Sequence, residues 1–225
     1  MEEGIELTAA TRGERRRRGW SAGLRSLIVP LAVLAVIVGG LWYWDNRGGG
    51  SDVTTVGDAR LGVVELPAAK NRTGREPVAE VGRAGPDFLL GRPGGGTLRL
   101  SDLQGRPVLL NFWASWCAPC RVEMPELVAA YERYRGQGLV VVGVNLQEPD
   151  DQVRSFAEEF GMTFPIAIDR SGAVADVWRL GGPVEGIPTS YFIDAAGVIR
   201  GFFYGPMTRD ALEERVAKVL PEEAG

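Results

Sequence analysis

Two cysteines are the residues of this chain best suited to chemistry. Cys117 and Cys120 are the only cysteines among 225 residues, and only Ala118 and Pro119 separate them. Two cysteines are too few for the disulfide framework that staples a small secreted domain, so the pair has a local role. The two-residue spacing lets the pair alternate between dithiol and disulfide with little backbone movement. The sequence therefore predicts thiol–disulfide exchange at Cys117–Cys120.

Half of a zinc site is the other chemistry that two cysteines offer. Tetrahedral zinc needs four ligands, and the chain contains no histidine to complete the set. A four-cysteine site bridging two copies of the chain remains open, but we expect no metal and no cofactor. The lack of histidine also excludes hydrolases with a Ser–His pair and Cys–His proteases.

The elements around the pair explain how it would be activated. Val108–Trp113 is a continuous apolar run of strand length, typical of a strand covered on both faces. A helix is predicted from about Ala118 to Arg135, kinked by Pro125. Unpaired N–H groups in its first turn, together with the helix dipole, favour a thiolate at Cys117. Cys117 is thus the predicted attacking sulfur, and Cys120, one turn further on, the resolving one.

The region from about residue 82 onward alternates between strand and helix patterns, which predicts an α/β domain at 82–225. Further strands are predicted at 139–145, 165–169, 189–194 and 198–204, and further helices at 150–160, 172–178 and 208–220. Thr208 is the expected N-cap of the last helix. A composition of 45% apolar residues and a net charge of −4 suit a globular protein without a nucleic-acid partner.

The N-terminal region predicts attachment to a membrane. Leu27–Trp44 contains no charged side chain and matches the thickness of a bilayer. Residues 1–26 include six arginines, and Arg47 alone follows closely after the span, so the positive-inside rule leaves the N-terminus in the cytoplasm. The remainder would lie outside the cytoplasm, joined by a flexible linker at 45–81. A buried core helix and a cleavable signal peptide are the alternatives to a signal anchor.

The motif Asn111–Pro125 (NFWASWCAPCRVEMP) resembles the signature of the TlpA/ResA-type thioredoxin-like proteins, in the AhpC/TSA-redoxin-like superfamily. Pro86–Asp87–Phe88 and Leu100–Leu103 are similar to the N-terminal hairpin that this family shares with peroxiredoxins. The resemblance implies a thioredoxin-like fold, with a central mixed sheet flanked by helices, behind an N-terminal transmembrane helix. It also implies a protein-disulfide reductase that acts on exported proteins, often in cytochrome c biogenesis, with electrons from a membrane thiol donor.

Several site residues follow from this resemblance. Pro188, in the segment Gly186–Thr189, matches a proline that is cis in the thioredoxin fold and lies beside the two cysteines. Ile187 would offer its backbone to an extended substrate segment. Trp116 and Pro119 would form part of the substrate-binding surface.

Glu123 and Asn111 separate this chain from ordinary thioredoxins. Those have a buried aspartate where Asn111 stands, and an asparagine cannot accept a proton. Glu123, three residues after Cys120, matches the acid of the TlpA/ResA pattern. We expect Glu123 to be partly buried and to handle the proton of Cys120, the alternative being an ordinary solvated helix glutamate.

Two other functions fit parts of the sequence. A peroxiredoxin has a proline seven residues and a threonine three residues before its reactive cysteine, and this chain has Leu110 and Ala114 there. A copper-delivery protein of thioredoxin fold uses a distant histidine, which the chain lacks. Peroxide turnover and copper titration would distinguish these functions from disulfide reduction.

Overall fold

The computed structural model describes residues 33–39, 55–56, 59–180 and 186–220. Residues 33–39 form a helical segment, and the rest of the predicted span Leu27–Trp44 lies outside the described residues. No helix within the described ranges is long and apolar enough to cross a membrane.

A mixed β-sheet occupies the centre of the α/β unit. Strands β1 (Thr55–Val56) and β2 (Ala59–Arg60) form a separate hairpin. The sheet itself contains β3 (Gly62–Val63), β4 (Phe88–Gly91), β5 (Thr97–Arg99), β6 (Val108–Trp113), β7 (Val140–Leu146), β8 (Ile166–Asp169), β9 (Thr189–Ile193) and β10 (Ile199–Tyr204). Its order is β10-β9-β6-β7-β8-β4-β3, with β5 beside β4. The strands β6, β7 and β8 run parallel, and the other pairings are antiparallel.

Helices cover both faces of this sheet. They are α1 (Ala118–Tyr134), α2 (Asp150–Phe160), α3 (Ala173–Val177) and α4 (Arg209–Ala217), with 3-10 turns at Ala68–Lys70, Leu100–Leu103 and Arg135–Gln137. Parallel strands need a crossover connection, and α1 supplies the one between β6 and β7. The predicted N-cap of α4 is confirmed, because the Thr208 hydroxyl accepts a hydrogen bond from the backbone N–H of Ala211.

The sequence pattern located these elements well. Strand Val108–Trp113 and helix Asp150–Phe160 are confirmed at both ends. The other elements predicted after residue 117 are present, and their ends lie within three residues of the predicted ones. The first helix contains Pro125, as predicted, and its last turn tightens into the 3-10 turn that begins at Arg135.

The position of β6 between two cores explains why five of its six residues are apolar, since all six are buried. Leu109 and Trp113 belong to the core that also contains residues of α1, α2 and α4. Leu110 and Phe112 point to the opposite core, which includes α3 and the β4–β5 hairpin. Burial on both faces removes the polar alternation of a solvent-facing strand.

The packed fold extends further towards the N-terminus than the predicted boundary at residue 82. Strand β3 pairs with β4, and Leu61 and Ala79 are buried in the core. The Lys70 ammonium donates to the carbonyl oxygen of Ser101 at 2.5 Å. Residues 61–80 therefore pack on the sheet, whereas the sequence predicted a flexible linker there. The reason is long-range pairing, which the Gly- and Pro-containing sequence of this segment does not reveal.

Candidate active site

The two cysteines lie at the N-terminal end of α1, directly after β6. They are joined as a disulfide, with their Cα atoms 5.2 Å apart. Cys117 is the N-cap residue of α1, and its sulfur accepts the backbone N–H of Cys120 at 3.2 Å. Pro119 occupies the first turn, where its missing N–H costs no helical hydrogen bond. An N–H donor and the positive end of the helix dipole both favour negative charge on the Cys117 sulfur.

The surface beside the disulfide is apolar and open. Both cysteines are nearly buried, with Cys117 4% exposed and Cys120 1% exposed. Trp116 is 69% exposed on one side of the pair, and Ala118 and Pro119 are also exposed. Val122, one turn further along α1, is 72% exposed. It was not predicted from the sequence as part of this surface.

Arg121 is the charged side chain closest in sequence to the pair, and its charge is engaged. It forms an ion pair with Glu159. Its guanidinium carbon also lies 5.2 Å from the ring centroid of Phe156 and 5.0 Å from that of Phe160. Arg121 therefore lies along α2 and leaves the exposed Trp116 and Val122 as an uncharged surface.

The proline loop lies beside the disulfide. The peptide bond between Ile187 and Pro188 is cis, as the family resemblance implied. The Ile187 carbonyl oxygen is 3.5 Å from the Cys117 sulfur. Ile187 makes no backbone hydrogen bond to another described residue. An extended segment bound across Cys117 would therefore find a free backbone edge at Ile187.

Glu123 is fully inside the fold, with 1% of its surface exposed. Burial raises its pKa from 4.5 to about 8, an effect that the nearby Met207 backbone amide and Ser190 hydroxyl partly offset. In this oxidised state, neither carboxyl oxygen makes a hydrogen bond of good geometry with a described residue. Beside the closed disulfide, the carboxyl is therefore mostly protonated at neutral pH. This placement excludes the solvated glutamate that the sequence left as an alternative.

Asn111 and Ser190 form a buried polar pair under α1. They face each other across the antiparallel strands β6 and β9, and the Asn111 amide donates to the Ser190 hydroxyl oxygen at 2.9 Å. Asn111 was identified from the sequence, and Ser190 was not. A serine two positions after Pro188, at the start of a strand that continues with large apolar and aromatic residues, is the signal that could have identified it.

A second buried carboxylate holds the loop that leads into Cys117. Glu148 accepts the backbone N–H of Ser115 at 2.7 Å and the Ser115 hydroxyl at 2.5 Å. It also accepts the side-chain amides of Asn145 and Gln152, each at 2.6 Å. This cluster was not predicted from the sequence. Asn145 is the second-last residue of β7, Glu148 follows that strand and Ser115 follows β6, and parallel neighbouring strands bring these ends together.

A mixed sheet with a Cys-x-x-Cys pair at a strand–helix junction, opposite a cis-proline loop, defines a thioredoxin-like protein. A model of the AhpC/TSA family matches residues 81–202. The thiol-disulfide oxidoreductase ResA of Geobacillus kaustophilus is 40% identical over 141 residues, which cover 63% of this chain and 79% of that protein. ResA of Oceanobacillus iheyensis is 35% identical over 167 residues, covering 72% and 85%.

A solved structure agrees with this similarity. The crystal structure of a thiol:disulfide interchange protein of the thioredoxin family from Chlorobium tepidum TLS superposes with a TM-score of 0.56 and 27% identity, covering 65% of this chain and 99% of that one. The chain belongs to the AhpC/TSA family and, within it, to the ResA-type thiol–disulfide oxidoreductases.

Proposed function

We propose that this enzyme reduces disulfide bonds in exported proteins by cycling Cys117 and Cys120 between dithiol and disulfide. The observation that carries the proposal is the contrast between the two sulfurs. Cys117 caps a helix beside the free backbone edge of Ile187. Cys120 is buried one helical turn from the protonated Glu123. One sulfur is thus suited to attack a substrate, and the other to exchange a proton within the protein.

In the first step, the Cys117 thiolate attacks a substrate disulfide. A bond forms between the Cys117 sulfur and one substrate sulfur, the substrate S–S bond breaks, and the second substrate sulfur leaves as a thiolate that takes a proton from water. The Cys120 N–H that points at the Cys117 sulfur supports this assignment, because it stabilises the reactive thiolate.

In the second step, the Cys120 thiol gives its proton to the Glu123 carboxylate and attacks Cys117. The intramolecular disulfide forms and the mixed disulfide breaks. The remaining substrate sulfur leaves as a thiolate with both electrons of the broken S–S bond and takes a proton from water. The protein dithiol has then lost two electrons to the substrate. Glu123 ends the cycle protonated, which agrees with its pKa of about 8 beside the closed disulfide. Reduction of the protein returns this proton to Cys120.

Trp116, Pro119, Ile187 and Pro188 are the proposed substrate-binding residues. An extended substrate segment would add to the Ile187 backbone while its side chains contact the apolar surface at Trp116 and Pro119. The exposed Val122 continues that surface. We therefore expect substrates whose disulfide is flanked by apolar residues in an unfolded or extended segment.

The proposed location is the outer face of the cell membrane. Residues 27–44 would form a single-pass anchor, with residues 1–26 in the cytoplasm and the thioredoxin-like domain outside. The apolar, uncharged character of Leu27–Trp44 supports this arrangement. A membrane thiol protein would return electrons to the oxidised pair, and an apocytochrome c awaiting haem attachment is one substrate of the required kind.

The test combines the reduction potential with trapping variants. We expect a potential below about −220 mV for Cys117–Cys120, measured by equilibration with dithiothreitol, which would make the pair a reductant. Cys120→Ser should accumulate a mixed disulfide with a substrate peptide, and Cys117→Ser should form none. A potential near −120 mV would instead indicate an enzyme that inserts disulfides. Turnover of hydrogen peroxide by the wild type would favour a peroxidase.

A further inference from the structure

Ser190 links two groups whose chemistry differs, the Asn111 amide and the Glu123 carboxyl. The amide nitrogen of Asn111 can only donate, so it uses one lone pair of the Ser190 oxygen. The hydroxyl proton and the second lone pair of Ser190 remain for another partner. The Glu123 carboxyl is the acid beside this hydroxyl, and all three side chains are buried. Among the described residues, neither carboxyl oxygen has a hydrogen bond of good geometry, so both oxygens can still pair with the Ser190 hydroxyl.

A buried acid that changes protonation needs a neighbour that can serve both of its forms. A carboxylate requires a donor, whereas a carboxylic acid requires an acceptor for its own proton. The Met207 backbone amide can only donate. A serine hydroxyl can do both by rotation about its C–O bond, provided that its oxygen is held in place.

We propose that Ser190 is a positioning residue for Glu123, and that its hydroxyl, held by Asn111, donates to the carboxylate and accepts from the carboxylic acid. This inference rests on the proposed proton transfer between Cys120 and Glu123. No covalent bond changes at Ser190. When Glu123 takes the Cys120 proton, the hydroxyl turns from donor to acceptor, and it turns back when the proton leaves.

The residue type at 111 matters for this role. An aspartate there would be ionised or would share a proton, and as an acceptor it would compete with Glu123 for the Ser190 hydroxyl proton. Asparagine presents an N–H to the serine oxygen and leaves that proton for Glu123. Asparagine at position 111 thus suits a site whose buried acid is Glu123 on α1, in place of the aspartate that ordinary thioredoxins have on β6.

No charged side chain contributes to the pKa of Glu123. The titratable groups on its own helix beside it are the cysteines, which are joined in the disulfide. From β6 and β9 the neighbours are the neutral Asn111 and Ser190, and from the segment before α4 the neighbour is the Met207 backbone. The hydroxyl of Ser190 is therefore the side-chain group that can tune this acid.

The experiment follows the titration of Glu123 in the oxidised full-length chain by carbon-13 NMR of labelled glutamate carboxyls. Glu123→Gln identifies the signal. In Ser190→Ala, the midpoint should move upward by about one unit or more, equal to a ten-fold weaker acid. Both forms lose a partner, but the hydrogen bond to the charged carboxylate is about twice as strong as the one that the neutral acid makes, so the carboxylate loses more. Ser190→Thr keeps the hydroxyl and should restore a midpoint close to that of wild type. The pH profile of disulfide reduction should shift with the midpoint.

Two further variants keep the test decisive. Ser101 is another buried serine, in the 3-10 turn at Leu100–Leu103, and its hydroxyl has no hydrogen-bond partner in the described part of the chain. Ser101→Ala should leave the Glu123 midpoint unchanged. If Ser190→Ala does not fold, Ser190→Val compared with Ser190→Thr answers the same question, since these side chains have similar volume and differ in the hydroxyl.

An unchanged midpoint in Ser190→Ala or Ser190→Val would overturn the proposal, as would a Ser190→Thr variant that titrates like Ser190→Ala. Failure of the wild type to reduce disulfides would overturn the proposed function instead. The carboxyl titration does not depend on that activity, so the two failures are distinguishable.

Discussion

Two cysteines one helical turn apart have different surroundings in this protein. Cys117 receives a backbone N–H from the start of α1 and lies next to the Ile187 carbonyl. Cys120 is the more buried of the two and precedes Glu123 by three residues on the same helix. The helix end favours charge on the first sulfur, and the buried acid supplies a proton site for the second. The two roles thus follow from position, because the side chains are identical.

Glu123→Gln should change how the stability of the fold depends on pH. The pKa of Glu123 is 4.5 when free and about 8 in the fold. Below pH 4.5, both folded and unfolded states hold the proton. Between pH 4.5 and 8, the unfolded chain releases it while the folded chain keeps it, so the free energy of unfolding falls as pH rises.

We therefore expect Glu123→Gln to gain stability relative to wild type as pH rises from 4.5 to 8, by up to about 5 kcal/mol. Above pH 8 the difference should level off. Urea denaturation of the oxidised proteins at a series of pH values measures it. A stability difference that stays constant across this window would show that Glu123 ionises in the fold as it does when free.

At the scale of elements, the site depends on what holds the loop between β6 and α1. Glu148, just beyond β7, binds both the backbone and the side chain of Ser115 in that loop. Asn145 and Gln152 donate to the same carboxylate. The start of α1 is thus tied to the neighbouring parallel strand, which keeps Cys117 in place relative to the sheet.

Glu148→Ala should destabilise the fold by about 3 kcal/mol, because it leaves the buried Asn145 amide and the half-buried N–H and hydroxyl of Ser115 without their acceptor. Glu148→Gln retains one acceptor oxygen and should cost less, about 1–2 kcal/mol. Glu158→Ala, on the exposed face of α2, is the control and should change stability by less than about 0.5 kcal/mol. Urea denaturation compares the three. Equal effects at positions 148 and 158 would contradict a structural role for the Glu148 cluster.

For the whole molecule, the segment before residue 82 is part of the fold. Arg99 on β5 donates to the Glu65 carbonyl oxygen at 2.8 Å, and Gln104 donates to that of Lys70 at 2.8 Å. These contacts hold residues 61–80 against β5 and the 3-10 turn that follows it. Two apolar residues of the segment, Leu61 and Ala79, are buried in the fold, and its strand β3 extends the sheet.

A chain that starts at residue 82 should be less stable than one that starts at residue 59, by about 2–4 kcal/mol. The shorter chain loses the burial of Leu61 and the hydrogen bonds that residues 61–80 make with β5 and with the 3-10 turn after it. The free energies of unfolding of the two fragments in urea measure the difference. Leu61→Ala in the longer fragment should reproduce part of the loss. Equal urea midpoints for the two fragments would restore the interpretation of this segment as a linker.

Local features of the sequence determined the reactive pair and most elements. The Cys-x-x-Cys spacing, the apolar run of β6 and the N-cap at Thr208 are short-range patterns, so each could be recognised without knowing what it packs against. Family resemblance added Pro188 and Glu123. It did not establish that Glu123 is buried, because burial is a property of everything that packs around a residue.

Only the tertiary structure decided which distant groups meet at the site. Ser190 bonds to Asn111 across 79 positions because β9 pairs with β6 in that register. Glu148 reaches Ser115 across 33 positions because β7 lies beside β6. Residues 61–80 pack on the sheet because β3 pairs with β4 at one end of the strand order. Strand order and register are set by the packing of the whole sheet, and so the residues that tune and hold the cysteines could not be predicted from spacing along the chain.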